Sequence, residues 1–195
     1  MISGKEHLGS ILISSMVVAG AFTIQDISID FFLLCFGITL GSYLIHEFFH
    51  IKISDRENLD FKHDISVPGI LATLISGVVT GGQAVLAIPT KARIKSKESD
   101  RWGKWMIEVN DRDIGVTSIS GPLVNLALGT LFLCLYGFFG PEFLATASLI
   151  NLWLGTSNLL PFHPFDGGSV VAWGGWVWFI GVLTGATGLI ALFLI

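Results

Sequence analysis

Charge is scarce in this sequence. Only 13% of its 195 residues are Asp, Glu, Lys or Arg, against about 25% in an ordinary soluble domain. That deficit excludes a chain solvated on every side. The net charge of −4 is mild, and no basic stripe marks a soluble face, so nucleic acid is not an expected partner. Cysteine is nearly absent. Cys35 and Cys134 both lie inside apolar runs, where they read as small buried hydrophobes and not as a disulfide framework. No internal repeat, low-complexity tract or appended soluble domain is visible. No small-residue cleavage site follows the first apolar run, so that run is expected to be retained.

Hydrophobic residues take the place of charge, at 52% of the chain with a mean hydropathy of +0.72. They form long apolar stretches divided by short polar ones, the pattern of a multi-span membrane protein. Five stretches reach the ~17–25 residues that a spanning helix needs: 8–25, 31–53, 115–139, 142–162 and 172–195. A sixth, 66–89, is interrupted by Pro68, Gly69, Gly77, Gly81 and Gly82. The polar stretch 90–113 mixes charges with Trp102, Trp105, Met106 and Ile107, which suits a small strand pair or an interfacial element. The expected fold is an all-α polytopic membrane protein forming a single domain over 1–195, inserted in a lipid bilayer.

Within the second stretch, His46-Glu47-Phe48-Phe49-His50 has the form His-Glu-x-x-His. On a helix, residues i and i+4 lie about 40° apart around the axis and one turn apart along it. Both imidazoles can then reach one metal ion, and Glu47 is placed to take a proton from water activated there. Imidazole and carboxylate donors in an open tetrahedral site suit zinc, one per chain. Three ionisable side chains within an apolar helix would be costly without a use. A catalytic zinc site needs a third protein ligand. Asp166 is the candidate, in Asn158-Leu159-Leu160-Pro161-Phe162-His163-Pro164-Phe165-Asp166-Gly167-Gly168. Prolines and glycines there can break the helix and turn an acidic side chain inward. The same residues also fit an ordinary interfacial turn with a solvated Asp.

The His-Glu-x-x-His helix, then Gly121-Pro122-Leu123-Val124-Asn125, then Asn-Leu-Leu-Pro and Pro-Phe-Asp-Gly-Gly, in this order, resemble the site-2 protease family of intramembrane metallopeptidases, its small prokaryotic members above all. The resemblance covers about residues 31–180. It implies that His46, His50 and Asp166 hold zinc and that Glu47 is the catalytic base. It implies that Asn158 binds substrate or stabilises the transition state. Gly121, Pro122 and Asn125 match a helix start packed beside the site, with Asn125 a possible supporting residue; close helix packing through small residues explains them equally well. Phe49 stands where the family often has a small residue. His163 stands where apolar residues are usual, and reads as a supporting donor, an oxyanion stabiliser or, the favoured alternative, an interfacial histidine. The implied activity is hydrolysis of peptide bonds in or near the transmembrane helices of membrane-protein substrates. The competing reading is a membrane metal transporter, or a metal-binding scaffold without protease activity.

Topology follows from parity. For His46, His50 and Asp166 to share a metal, the spans carrying them must end on one face. That holds if 66–89 is a re-entrant hairpin and fails if it crosses. The hairpin puts all 11 Lys and Arg on one side, which the positive-inside rule makes cytoplasmic. The expectation is five spans, a re-entrant hairpin at about 66–89, a small cytoplasmic element at about 90–113 and a cytoplasmic N-terminus, in a prokaryotic cell membrane. Gly81 and Gly82 are expected at the bend and, with the hairpin as a clamp for an extended substrate strand, among the substrate-binding residues.

Overall fold

A computed structural model describes residues 4–96, 110–162 and 165–195. They form seven α-helices and two strands: α1 (Gly4–Phe22), α2 (Ile29–Arg56), β1 (Leu59–Ile65), α3 (Val67–Thr80), β2 (Thr90–Ser96), α4 (Asp111–Phe139), α5 (Glu142–Asn158), α6 (Asp166–Trp173) and α7 (Gly175–Leu194). Four segments are long and apolar enough to cross a membrane: Leu8–Gln25, Ile29–Arg56, Asp111–Phe139 and Gly175–Leu194. Their outer faces expose large apolar side chains, such as Met16, Leu33, Leu131 and Phe179. So much exposed hydrocarbon suits lipid and not water.

The helix ends are written in the sequence. Ser28 caps α2 by accepting from Phe31 N at 3.3 Å, and Arg56 lies in its last turn. Asn110 caps α4 by accepting from Arg112 N at 3.0 Å, with Asp111 and Asp113 in the first turn. These charges oppose the helix dipole in the favourable sense. Gly140 ends α4 in the left-handed region.

α5 differs from the 142–162 span expected of it. It stops at Asn158 after 17 residues, ahead of Pro161, and 147–152 are buried without a break. Six consecutive buried residues cover every face of a helix. α5 is therefore the central post of the bundle, packed chiefly on α4. The expected 172–195 stretch also divides. Gly174 is extended, so α6 ends before α7 begins. Asp166 opens α6 and does not sit in a loose turn.

The fold is not wholly helical. β1 and β2 form an antiparallel pair running from Leu59↔Ser96 to Ile65↔Thr90. Of the strand pair or interfacial element expected within 90–113, one strand is described, and its partner is 59–65 outside that stretch. Residues 97–109, including Trp102, Trp105, Met106 and Ile107, lie outside the described residues. Because Ile65 and Thr90 are partners, 66–89 leaves the sheet and returns to the same rung. It goes out as α3 and turns at Gly81 and Gly82, with φ +60° and +79°, values that favour glycine. Gln25 Nε2 donates to Gly82 O at 2.7 Å, pinning the turn to the end of α1. The return is irregular, yet side chains satisfy its backbone. Leu86 N donates to Ser76 Oγ at 2.9 Å, Ala87 N to Ser157 Oγ at 3.2 Å and Ile88 N to Thr73 Oγ1 at 3.3 Å. Thr73 Oγ1 also lies 2.7 Å from Leu86 O. Irregular backbone among apolar helices requires such partners.

Candidate metal centre

The buried stripe of α2 runs through Thr39, Ser42, Tyr43, His46, Glu47, His50 and Ser54. Its helical period turns both histidines of the motif into the bundle, where His46 and His50 are fully buried. Their Nε2 atoms are 3.0 Å apart, and His50 Nε2 is 3.4 Å from Asp166 Oδ2. Bonds of about 2.0–2.2 Å in a tetrahedral zinc site put ligand atoms about 3.3–3.6 Å apart. The observed spacing is close to that.

The surroundings prepare these atoms for a cation. His50 Nδ1–H donates to Thr117 O at 2.9 Å, with Ser120 Oγ 3.3 Å from the same nitrogen. That tautomer leaves Nε2 with a lone pair. Asn125 meets His46 Nδ1 through its amide at 2.9 Å. Amide nitrogen and oxygen are interchangeable in shape. It is Nδ2 that faces the ring; turned about to present Oδ1, without a hydrogen-bond partner among the described residues, Asn125 would accept from Nδ1–H and free Nε2 in the same way. Asp166 Oδ1 is likewise buried and unpartnered among the described residues. Two lone pairs and a carboxylate facing one point require positive charge between them. Room for an ion comes from Gly121, whose Cβ, if present, would fall onto the Nε2 atoms of both histidines. Pro122 follows it inside α4 and withholds the N–H that would bond the carbonyl one turn earlier. The donor set therefore fits a single zinc ion.

A third histidine completes the cluster. His46, His50, His63 and Asp166 each offer a ligand atom, all within 4.8 Å of one another. His63 lies on β1, its Nδ1 2.5 Å from Glu47 Oε2. Burial alone would disfavour its charged form. The charge and hydrogen bond of Glu47, with the charges of Asp166 and Asp64, together outweigh it and hold the His63 pKa above the usual imidazole value. Beside it, the Phe61 ring stacks on His50 with centroids 4.4 Å apart and planes at 16°. The face of β1 bearing Phe61 and His63 thus covers the cluster. The signal was available in Leu59-Asp60-Phe61-Lys62-His63-Asp64-Ile65, a strict alternation with a histidine on its apolar side.

The remaining expected residues have contacts of their own. Asn158 donates to Leu154 O at 2.9 Å within its own helix, because α5 continues as far as that residue. The second N–H of that amide is left to donate elsewhere. Gly81 and Gly82 lie at the far end of α3, about 20 Å of helix away from the sheet. They shape the turn against α1 and are not beside the cluster. The return segment's edge, expected as a strand clamp, is already engaged by the side chains of Thr73, Ser76 and Ser157. His163 lies outside the described residues. A cavity of about 750 Å³ lies between the start of α3 and Phe165, the neighbour of Asp166, lined by Ile65, Ser66, Pro68, Gly69 and Lys91 as well.

Similarity to known proteins agrees with this chemistry. One relative, from Methanocaldococcus jannaschii, is provisionally named a zinc metalloprotease. It is 27% identical over 181 residues, covering 90% of this chain and 88% of the relative. A second protein of that organism, named a zinc metalloprotease, is 29% identical over 161 residues. That match covers 80% of this chain and 38% of the relative's length. No protein-family model matches the chain, and no solved structure does.

Proposed function

We propose that this chain is an intramembrane zinc metalloprotease of the site-2 protease kind. It hydrolyses peptide bonds in or near the transmembrane helices of membrane-protein substrates, the chemistry of regulated intramembrane proteolysis. One observation carries the reading. Two histidine nitrogens and a carboxylate converge on one point against Gly121, with Glu47 beside them, on a helix apolar enough to span a bilayer. The names of the two relatives support both the metal and the proteolysis.

His46, His50 and Asp166 would hold the metal. Bound there, zinc would lower the pKa of water toward about 7 and polarise the scissile carbonyl. Glu47 accepts the proton of the attacking water as the C–O bond forms. It delivers a proton to the leaving amine as the C–N bond breaks. A helical substrate must unwind locally, since an intact helix ties up the scissile amide in its own hydrogen bonds.

The adjacency of Ile65 and Thr90 supports a re-entrant excursion for 66–89, since both of its ends meet one sheet. With α5 as a short fifth crossing, the ends of α2 and α5 then share one face. We assign that face and the N-terminus to the cytoplasm of a prokaryotic cell. The test is zinc content with cleavage of a model transmembrane substrate in reconstituted vesicles. Wild type should carry about one zinc per chain and cleave. Glu47→Gln should keep the zinc and lose turnover by several orders of magnitude. Wild-type turnover in that variant overturns the proposal.

A further inference from the structure

We propose that His63 is a positioning residue that holds the Glu47 carboxylate, and not a fourth metal ligand, so that β1 sets the base of the site. The inference rests on the protease reading above. A glutamate has three rotatable side-chain bonds, and nothing in His-Glu-x-x-His spacing fixes where its carboxylate ends up. Here one oxygen is fixed by His63 Nδ1 at 2.5 Å, where the two side chains are 8% and 4% exposed.

The histidine is itself held. Its strand is paired along seven positions with β2. The next residue, Asp64, is 2.5 Å from Arg93 Nη2 on that strand. Two residues earlier on the same face, Phe61 stacks on the His50 ring. The strand thus refers its position to a ligand with one side chain and sets the base with the next. Coordination arithmetic argues against ligation. His46, His50 and Asp166 already supply three ligands, and a hydrolytic zinc site keeps its fourth position open for water. His63 Nδ1 is engaged by Glu47.

The experiment compares His63→Ala and His63→Asn with wild type and Glu47→Gln, in the full chain reconstituted with zinc. Asparagine places an N–H close to where Nδ1–H stands. His63→Ala should keep about one zinc per chain and lose roughly 100-fold in kcat, the scale of a misplaced catalytic group, with KM within about twofold. His63→Asn should recover at least about tenfold of that loss, and added imidazole should raise the rate of the alanine variant. Cobalt substitution gives a readout independent of turnover: the visible spectra of wild type and His63→Ala should coincide. Loss of metal or a changed cobalt spectrum makes His63 a ligand and overturns the proposal. Wild-type kcat in His63→Ala overturns it too, as does a loss that neither asparagine nor imidazole repairs. Absence of cleavage by zinc-loaded wild type sinks the protease reading instead, and the cobalt spectra still decide whether His63 ligates.

Discussion

At the scale of single residues, the site depends as much on what is missing as on what is present. Gly121 has no side chain where the two Nε2 atoms need space. Gly121→Ala should reduce zinc occupancy to less than about one tenth of wild type while leaving helicity unchanged, since alanine favours a helix over glycine; elemental analysis and circular dichroism check this. Asn125 acts through His46. Asn125→Ala should weaken zinc about 10- to 100-fold, as loss of an outer partner of a ligand does, read by competition with a chromogenic chelator. His46, Glu47 and His50 were legible because they are contiguous and a helical period converts spacing into direction. Asp166 was legible from the need for a third ligand and from the motif around it. His63 was not, because its approach to Glu47 is made by pairing 59–65 with 90–96, a contact no local pattern states. Asn158 was legible only through its motif, and its amide donates to Leu154 O inside α5, a bond that helix geometry and not the motif sets.

At the scale of elements, the apolar runs gave four helices close to their expected limits, since length and hydropathy are properties of a contiguous segment. What they hid were internal divisions. Gly174 splits the last run, and the polar 54–65 conceals both the end of α2 and all of β1. The 66–89 excursion shows how side chains rescue irregular backbone. Thr73 is fully buried and faces both Leu86 O and Ile88 N. Thr73→Val keeps the shape and leaves both groups without it. We expect a loss of about 1–3 kcal/mol, measured as a shifted midpoint of denaturation in mixed micelles, with zinc affinity unchanged. An unshifted midpoint would mean that the return segment is held by packing alone.

For the whole molecule, the proposed topology makes β2 and the far end of α4 open on opposite sides of the membrane. Single cysteines at Lys95 and Phe139, in a background lacking Cys35 and Cys134, should separate cleanly. An impermeant thiol reagent added to intact cells should label Phe139→Cys and spare Lys95→Cys; equal labelling of both rejects the re-entrant path for 66–89. Parity and the distribution of lysine and arginine were enough to frame this expectation, whereas no sequence pattern could tell that Ile65 and Thr90 are neighbours. The wide separation of the ligands along the chain also has a meaning in time. A ribosome makes His46, Glu47 and His50 early and Asp166 only 116 residues later. Until then the nascent chain has two of the three proposed ligands, short of what a catalytic zinc site uses. On the proposed reading, the order of synthesis thus delays a complete site until α1 to α5 have been made.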